Sequence, residues 1–259
     1  MAIKMEYPTW GVISKKVLGQ VNPINPVNVY GNTAFVPEKK TNPKCVCNNP
    51  QYTQDLVGVD IPVLLSQDNK ASKGIIIILG ESPLRTRNDK DNNNNIILGL
   101  PYAVHMDENN PPQSRMYKNI FNALLTKGYS IYLTDIIKDW YADRVLVPSE
   151  GDIELFESEL VKLQNSHHNT NIWIVVFGQK AKDAINKISK RNATDFPKVI
   201  ELPHPSKKNW TTWKLRIFKK AVYGNDINYA IKRYPNPSSP TNEDIVSNEA
   251  IDEILANIP

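Results

Sequence analysis

Four short polar segments hold the residues of this sequence that are best suited to chemistry, and each follows an apolar run. The segments are GESP at 80–83, DIIKDW at 135–140, GQKA at 178–181 and PHPS at 203–206. Among them Glu81, Asp135 and His204 carry the carboxylates and the imidazole that commonly accept, donate or transfer protons. If the four segments lie together, they form a polar site for recognition or acid–base catalysis.

An alternation of strands and helices predicts how these segments are positioned. Strands are expected at 75–79, 130–134, 172–177 and 198–202, and helices at 114–126, 153–165, 179–190 and 211–222. Such an alternation is typical of an α/β fold, a three-layer α/β/α arrangement with a central, mostly parallel four-stranded sheet. Ligands bind beyond the carboxyl ends of the strands in these sheets, so the four segments are expected at one edge.

The 259 residues are expected to form one main domain with an extension at each end. Residues 1–70 are rich in Pro and Asn, which predicts an irregular N-terminal extension that wraps the core. Residues 71–234 form the predicted main domain. Residues 235–259 begin with a Pro/Ser linker and continue with helical spacing, which predicts a tail helix that docks on the body or binds a partner.

The net charge of +4 is unevenly distributed along the chain. Residues 236–259 carry five acids and no Lys or Arg, so this tail is acidic and the remainder is basic. Residues 202–234 carry eight cations and one acid, interleaved with Trp210 and Trp213. This pattern is typical of a surface that binds a nucleic-acid backbone, although a solvated helix face explains the charge equally well.

The composition argues against membrane and metal-dependent classes of protein. No apolar run is long enough to span a membrane, and the N-terminus lacks the apolar region of a signal peptide. Cys45 and Cys47 are the only cysteines, too few for a four-ligand metal site, and His167 and His168 lie in a polar linker. We therefore expect a cytoplasmic protein without a metal or another cofactor.

Short motifs in this order resemble those of the uracil-DNA glycosylase superfamily over residues 75–220. The motifs are GESP, GLPYAV at 99–104, YLTDIIKDW at 132–140, VVFGQKA at 175–181 and PHPS. A single PHPS is weak support, whereas several motifs in the family order, each at a strand end, are much stronger. The resemblance implies a monofunctional DNA glycosylase domain that hydrolyses the N-glycosidic bond of a flipped pyrimidine and leaves an abasic site.

The resemblance also implies roles for individual residues. His204 would donate a hydrogen bond to O2 of the departing base, and the backbone around Glu81 and Ser82 would line the same pocket. Tyr102 would stack on the flipped base, unless it is an ordinary core residue. Because Ser82 stands where the best-known members have a water-activating aspartate, we expect Glu81 to act as the general base.

Two other departures from the family bear on the choice of base. Leu84 and Arg85 replace the tyrosine and histidine of the first motif, so a bulkier C5 substituent is admissible. Asp135 replaces an asparagine that reads uracil, and an ionised carboxylate only accepts hydrogen bonds. It suits the amino group of cytosine, which favours a cytosine-type base, either plain or C5-modified as in foreign phage DNA. If Asp135 is protonated or turned away, uracil remains the substrate.

The predicted DNA contacts come from two segments. Arg85 and Arg87 lie in the polar run LRTRNDKDNNNN, which is either a surface insertion or a lid ordered by DNA. The segment after His204 contains lysines that are expected to bind phosphates. It also contains Trp210, which is expected to insert between stacked bases unless it belongs to the core. The expected phosphate-binding residues here are Lys207, Lys208 and Lys214.

Two other functions compete with the glycosylase hypothesis. One is a non-catalytic DNA-binding module of the same fold that reads a modified base, which Ser82 permits. The other is a nucleoside or nucleotide hydrolase, against which the broad basic surface argues because a small substrate does not need it. The expected partner is DNA, and the protein is expected to be a monomer that acts in base-excision repair or anti-phage defence.

Overall fold

A computed structural model describes residues 3–18, 39–41, 56–68, 70–82, 96–104, 115–141, 147–192, 196–223 and 242–259 of the chain. The strands are β1 Ile3–Glu6, β2 Lys39–Thr41, β3 Leu56–Asp60, β4 Val63–Gln67, β5 Ile75–Gly80, β6 Ile96–Gly99, β7 Ser130–Asp135, β8 Asp139–Tyr141, β9 Ile172–Phe177 and β10 Lys198–Leu202. The helices are α1 Trp10–Leu18, α2 Arg115–Thr126, α3 Glu150–Ser166, α4 Gln179–Arg191, α5 Trp210–Tyr223 and α6 Asn242–Asn257.

The main sheet has six strands in the order β1-β4-β7-β5-β9-β10. The last four are mutually parallel and coincide with the four predicted strands, which confirms an α/β fold with a mostly parallel sheet. The predicted four-stranded sheet is wrong, because β4 pairs antiparallel with β7 and β1 pairs antiparallel with β4. These two strands come from the segment predicted as irregular, where Pro and Asn obscure short apolar runs.

Helices cover both faces of the main sheet. In β5, alternate isoleucines point to opposite faces, so Ile76 and Ile78 pack with the cluster that includes α2, α5 and α6. Ile75 and Ile77 pack on the other face with α3 and α4. A strand buried on both faces explains the uninterrupted apolar run, and it fixes Gly80 and the residues that follow at the carboxyl edge of the sheet.

A second, four-stranded sheet was not predicted from the sequence. Its order is β2-β6-β3-β8, with β3 and β6 parallel and the outer two strands antiparallel to their neighbours. It is built from strands of three to five residues that are far apart in the chain, so no single stretch signals it. The sheet matters for the site because β6 leads directly into Pro101 and Tyr102.

The C-terminal helix α6 is part of the core. Val246, Ala250 and Ile254 are buried in the same cluster as the inner face of α2. The Arg216 guanidinium on α5 binds the Glu253 carboxylate through two hydrogen bonds. The Tyr129 hydroxyl donates to the carbonyl of Pro259 at 2.6 Å. The predicted tail therefore contains a helix that is packed against the body of the protein.

The described part of the first seventy residues is largely regular. It contains the four strands β1 to β4 and helix α1, whose Trp10 and Ile13 are buried. The expected irregular wrapping is thus replaced in these stretches by strands that extend both sheets. Within the described ranges, no helix is both long enough and apolar enough to cross a membrane.

Candidate active site at the carboxyl edge of the sheet

The strand ends predicted to hold the chemistry meet at one edge of the main sheet. Helix α2, which follows β5 in sequence, packs on one face of the sheet, and α4, which follows β9, packs on the other. The adjacent strands β5 and β9 therefore flank the position where ligands bind in such sheets. Glu81 lies at this point, and its Oε1 accepts a hydrogen bond of 3.1 Å from the backbone N–H of Lys180 in the first turn of α4. Ser82 follows it and is half-buried.

Gly178 makes this contact possible. Its φ is 97°, a left-handed conformation that glycine adopts at little cost. A Cβ atom at this position would lie 2.5 Å from Oε1 of Glu81, so a larger residue would push the carboxylate away. The GQKA segment thereby holds Glu81 against the N-terminus of α4, where amide N–H groups and the helix dipole favour a negative charge.

Asp135 and Tyr102 meet above Gly80. Gly80 and Asp135 are register partners at the ends of β5 and β7, and the Asp135 side chain is only 4% exposed. A Cβ atom on Gly80 would overlap Oδ1 of Asp135 and would lie 3.0 Å from the Tyr102 hydroxyl. The absence of a side chain at Gly80 therefore lets the carboxylate and the phenol occupy the same small space.

Tyr102 has a strained backbone and a buried hydroxyl. Its φ of 57° makes it the one non-glycine residue with positive φ in the described ranges. The hydroxyl is closed off from solvent and has no hydrogen-bond partner in the part of the chain that the structure describes. Burial and, secondarily, the charge of Asp135 raise the pKa of Tyr102 well above its ordinary value, so the phenol stays protonated.

The Tyr102 ring packs among aromatic residues of α2. Its centroid lies 4.6 Å from that of Tyr117 at a tilt of 55°, and 5.6 Å from that of Phe121 in an edge-on arrangement. The sequence prediction of a stacking platform and the rival prediction of a core residue both fit a ring that is half-buried against the core. The position of the hydroxyl beside Asp135 was not anticipated by either.

His204 is held by its backbone and by Tyr117. The His204 carbonyl accepts hydrogen bonds from the Asn209 side chain at 2.9 Å and from the Ser206 N–H at 2.8 Å. Its Nε2 lies 3.0 Å from the Tyr117 hydroxyl. Burial lowers the pKa of His204, against a smaller opposing effect of Glu81, which favours the neutral imidazole. A neutral imidazole has one N–H to donate, as the predicted role requires.

These side chains form a continuous group, which we call the edge cluster. It consists of Asp135, Tyr102, Tyr117 and His204, linked by the ring contact between the two tyrosines and by the hydrogen bond between the Tyr117 hydroxyl and Nε2 of His204. Burial, Asp135 and Glu81 together raise the pKa of Tyr117 well above its ordinary value. The cluster thus presents a carboxylate, two protonated phenols and an imidazole at one edge of the sheet.

A second group of buried polar residues lies directly behind Asp135, and we call it the Lys138 network. The Lys138 ammonium is 2.6 Å from the Asp135 carbonyl and 2.6 Å from Oε2 of Glu159, where the ion pair satisfies this oxygen. The Tyr132 hydroxyl donates to Oε1 of Glu159 and lies 2.6 Å from the Thr9 hydroxyl. Because the single proton of Tyr132 goes to Glu159, Thr9 is the donor of the last bond.

The residues predicted to contact DNA are only partly described. Leu84, Arg85 and Arg87 lie outside the described residues, and the Lys207 side chain does too. Lys208, in the short 3₁₀ turn just before α5, and Lys214, in α5, are exposed, as phosphate contacts would require. Trp210 is half-buried and packs against the core, which agrees with the alternative that it is a core residue.

Sequence reasoning missed Tyr117 in the edge cluster and all the side chains of the Lys138 network, and three of these residues are instructive. Tyr117 lies in a helix whose apolar spacing predicts only core, so nothing marks its hydroxyl. Lys138 is the lone cation in the apolar stretch YLTDIIKDW, a signal that could have identified it as a buried charge. Glu159 lies three residues after Phe156 and four before Leu163, on the buried face of α3, which is the matching signal for its partner.

The donor groups offer no obvious metal site. Among the described residues, no group of three or more His, Cys, Asp or Glu side chains could hold a metal ion. The arrangement can instead hold a planar polar ligand by hydrogen bonds at several points.

Comparisons of the chain with protein-family models, with curated proteins and with solved structures found no match.

Proposed function

We propose that this protein is a DNA glycosylase that hydrolyses the N-glycosidic bond of a flipped pyrimidine. The observation that carries the proposal is the meeting of Asp135, Tyr102 and His204 at the carboxyl edge of one parallel sheet. These are the positions at which the glycosylase-like motifs place base recognition. Exposed Lys208 and Lys214 support DNA as the substrate, because they provide positive charge after the PHPS segment.

In the proposed reaction, water attacks C1′ of the deoxyribose while the bond from C1′ to N1 of the base breaks. The bonding electron pair leaves with the base, and the hydrogen bond from His204 to O2 stabilises the developing negative charge. Glu81 accepts a proton from the attacking water. The hydrogen bond from the Lys180 N–H keeps the Glu81 carboxylate in a fixed position at the carboxyl edge of the sheet.

The test uses DNA duplexes that carry one uracil, cytosine, 5-methylcytosine or 5-hydroxymethylcytosine at the same position. Abasic product is detected as strand cleavage after alkali. We expect product from at least one duplex, and we expect His204→Ala to slow its formation by about 10²–10³-fold, as for loss of a donor to a developing anion. His168→Ala, on an exposed turn, is the matched control. Failure of all four duplexes would refute the proposal.

A non-catalytic reader of modified bases is the second candidate. It is favoured by the hydrogen bond that already engages the Glu81 carboxylate, since a general base must be available to water. Salt-sensitive binding to one of these duplexes, with no abasic product from any of them, would support the reader. In either case, Lys208→Ala combined with Lys214→Ala is expected to weaken binding to all duplexes and to reduce its salt dependence.

A further inference from the structure

The buried Tyr102 hydroxyl has no hydrogen-bond partner among the residues that the structure describes. Most buried polar atoms in folded proteins have a hydrogen-bond partner, and an exception calls for a physical reason. Tyr102 is unusual in a second way, because its backbone has a left-handed conformation at φ 57° as well as an unpaired hydroxyl. Strained residues of this kind cluster at functional sites, where the surrounding structure maintains them.

The neighbours of this hydroxyl indicate what it would recognise. It lies beside the Asp135 carboxylate above Gly80, so a donor and an acceptor stand next to each other. On the other side, the Tyr102 ring contacts Tyr117, whose hydroxyl reaches His204. The polar groups therefore follow one another along the edge cluster in the order His204, Tyr117, Tyr102 and Asp135, and the Tyr117 hydroxyl is already engaged by His204.

We propose that Tyr102 is a specificity-determining residue whose hydroxyl donates a hydrogen bond to N3 of a cytosine-type base. The inference rests on the proposed glycosylase function and deepens it. A cytosine ring presents O2, N3 and the exocyclic amino group in that order. His204 then donates to O2, Tyr102 donates to N3, and Asp135 accepts from the amino group, so each polar atom of this edge meets a complementary partner.

Uracil fits the same order less well. Its N3–H could donate to the Tyr102 oxygen, but its O4 would face the Asp135 carboxylate, and both of these atoms are acceptors. The hydroxyl therefore adds a second point at which the site distinguishes the two bases. Because the hydroxyl is closed off from solvent, a base reaches it only with a shift of Tyr102, and such a shift can release strain at φ 57°.

The experiment changes one atom in the base and one in the protein. Single-turnover rates of base release, and binding to the same duplexes, are measured for cytosine and for 3-deazacytosine, in which a C–H replaces N3. The C5 substituent is kept as in the best substrate. For the unmutated protein, loss of the N3 acceptor is expected to reduce the rate or the affinity by about tenfold or more.

For Tyr102→Phe, the two bases are expected to behave alike relative to their intrinsic reactivity, because the donor that distinguishes them is gone. The thermal stability of this variant is measured in parallel and is expected to be at least that of the unmutated protein. Two results would show that Tyr102 does not read N3. The first is the same ratio of rates and affinities for cytosine and 3-deazacytosine in the variant and in the unmutated protein. The second is an unmutated protein that binds and releases both bases equally well.

The failure of this inference is distinguishable from failure of the proposed function. An unmutated protein that releases no base from any duplex refutes the glycosylase. A protein that releases a base but shows no dependence on N3 refutes only the role of Tyr102. A strong preference for uracil over every cytosine-type base would also contradict the order His204, Tyr102, Asp135.

Discussion

The edge cluster and the Lys138 network meet at Asp135, yet they differ in how completely their polar groups are paired. In the Lys138 network, each hydroxyl and charged group has a partner inside the protein, although Lys138 is 1% exposed and Glu159 is fully buried. In the edge cluster, the Tyr102 hydroxyl has no partner among the described residues. Both groups contain a buried tyrosine that stays protonated.

This difference separates polar groups that serve the fold from those available to a ligand. A network that is closed within the protein fixes geometry, here the carbonyl and hence the peptide of Asp135. A cluster with an unpaired donor is not optimised for stability, since the lost hydrogen bond with water is not replaced. The rigid network therefore supports a neighbouring cluster that keeps one unpaired donor, which we propose is paired by a ligand.

The largest effect is expected from breaking the Lys138 network. Glu159→Gln leaves the buried Lys138 ammonium without its charged partner, so the free energy of unfolding should fall by about 3–5 kcal/mol. Denaturant titration measures it. Glu150→Gln, at the start of the same helix, removes an ion pair with Arg191 in which both side chains are about half exposed, and should cost less than about 1 kcal/mol. Equal losses for both variants would contradict the comparison.

The two tyrosines give the most direct comparison between the groups. Tyr132→Phe removes a hydroxyl bonded to the Glu159 carboxylate and should reduce the free energy of unfolding by about 1.5–3 kcal/mol. Tyr102→Phe removes a hydroxyl with no described partner and should cost nothing or stabilise the protein. If Tyr102→Phe is as destabilising as Tyr132→Phe, the phenol of Tyr102 is paired in solution and the contrast is lost.

A glycine substitution tests how closely the edge cluster is packed. In Gly80→Ala, the new methyl group overlaps Oδ1 of Asp135, so we expect a loss of about 1–3 kcal/mol together with reduced binding of the preferred duplex. Gly11→Ala on α1 is the control, because no described atom outside its own helix turn lies within 4 Å of the new Cβ and alanine favours a helix. An unchanged affinity in Gly80→Ala would show that Asp135 does not need its present position.

The smallest expected effect is the dependence of stability on pH. Burial lowers the pKa of His204 in the folded protein, so below the ordinary value of about 6.5 the unfolded chain binds a proton more readily than the folded one. Stability from this group is therefore present above that value and is lost as the pH falls towards the lowered pKa. His204→Gln should reduce this slope in thermal unfolding, whereas His168→Gln, on the exposed turn, should leave it unchanged.

The sequence predicted the parallel part of the fold well because its strands are continuous apolar runs. The four predicted strands match β5, β7, β9 and β10 to within a residue at each end. Strands β1 and β4 were missed because they are short and partner-dependent, and their pairing spans some sixty residues. The second sheet was missed for the same reason, since each of its strands is stable only beside the others.

The candidate site was predictable to the extent that it depends on strand ends. The expectation that the GESP, DIIKDW and PHPS segments lie together agrees with the geometry, because parallel strands share a carboxyl edge. The Tyr117 hydroxyl and the unpaired phenol of Tyr102 depend on the angle of α2 and on the missing side chain at Gly80. Neither leaves a periodic signal, so three-dimensional packing was needed to find them.

The packing of α6 has a consequence for how the molecule is made. Ile254 and Ile258 share one buried cluster with Ile76 and Ile78 of β5, so this cluster brings together residues about 180 positions apart in the chain. While the chain emerges from a ribosome, helix α2 lacks the cover of α6 until that helix has been synthesised. The aromatic residues of α2 that contact His204 and Tyr102 therefore reach their final packing only after α6 has docked.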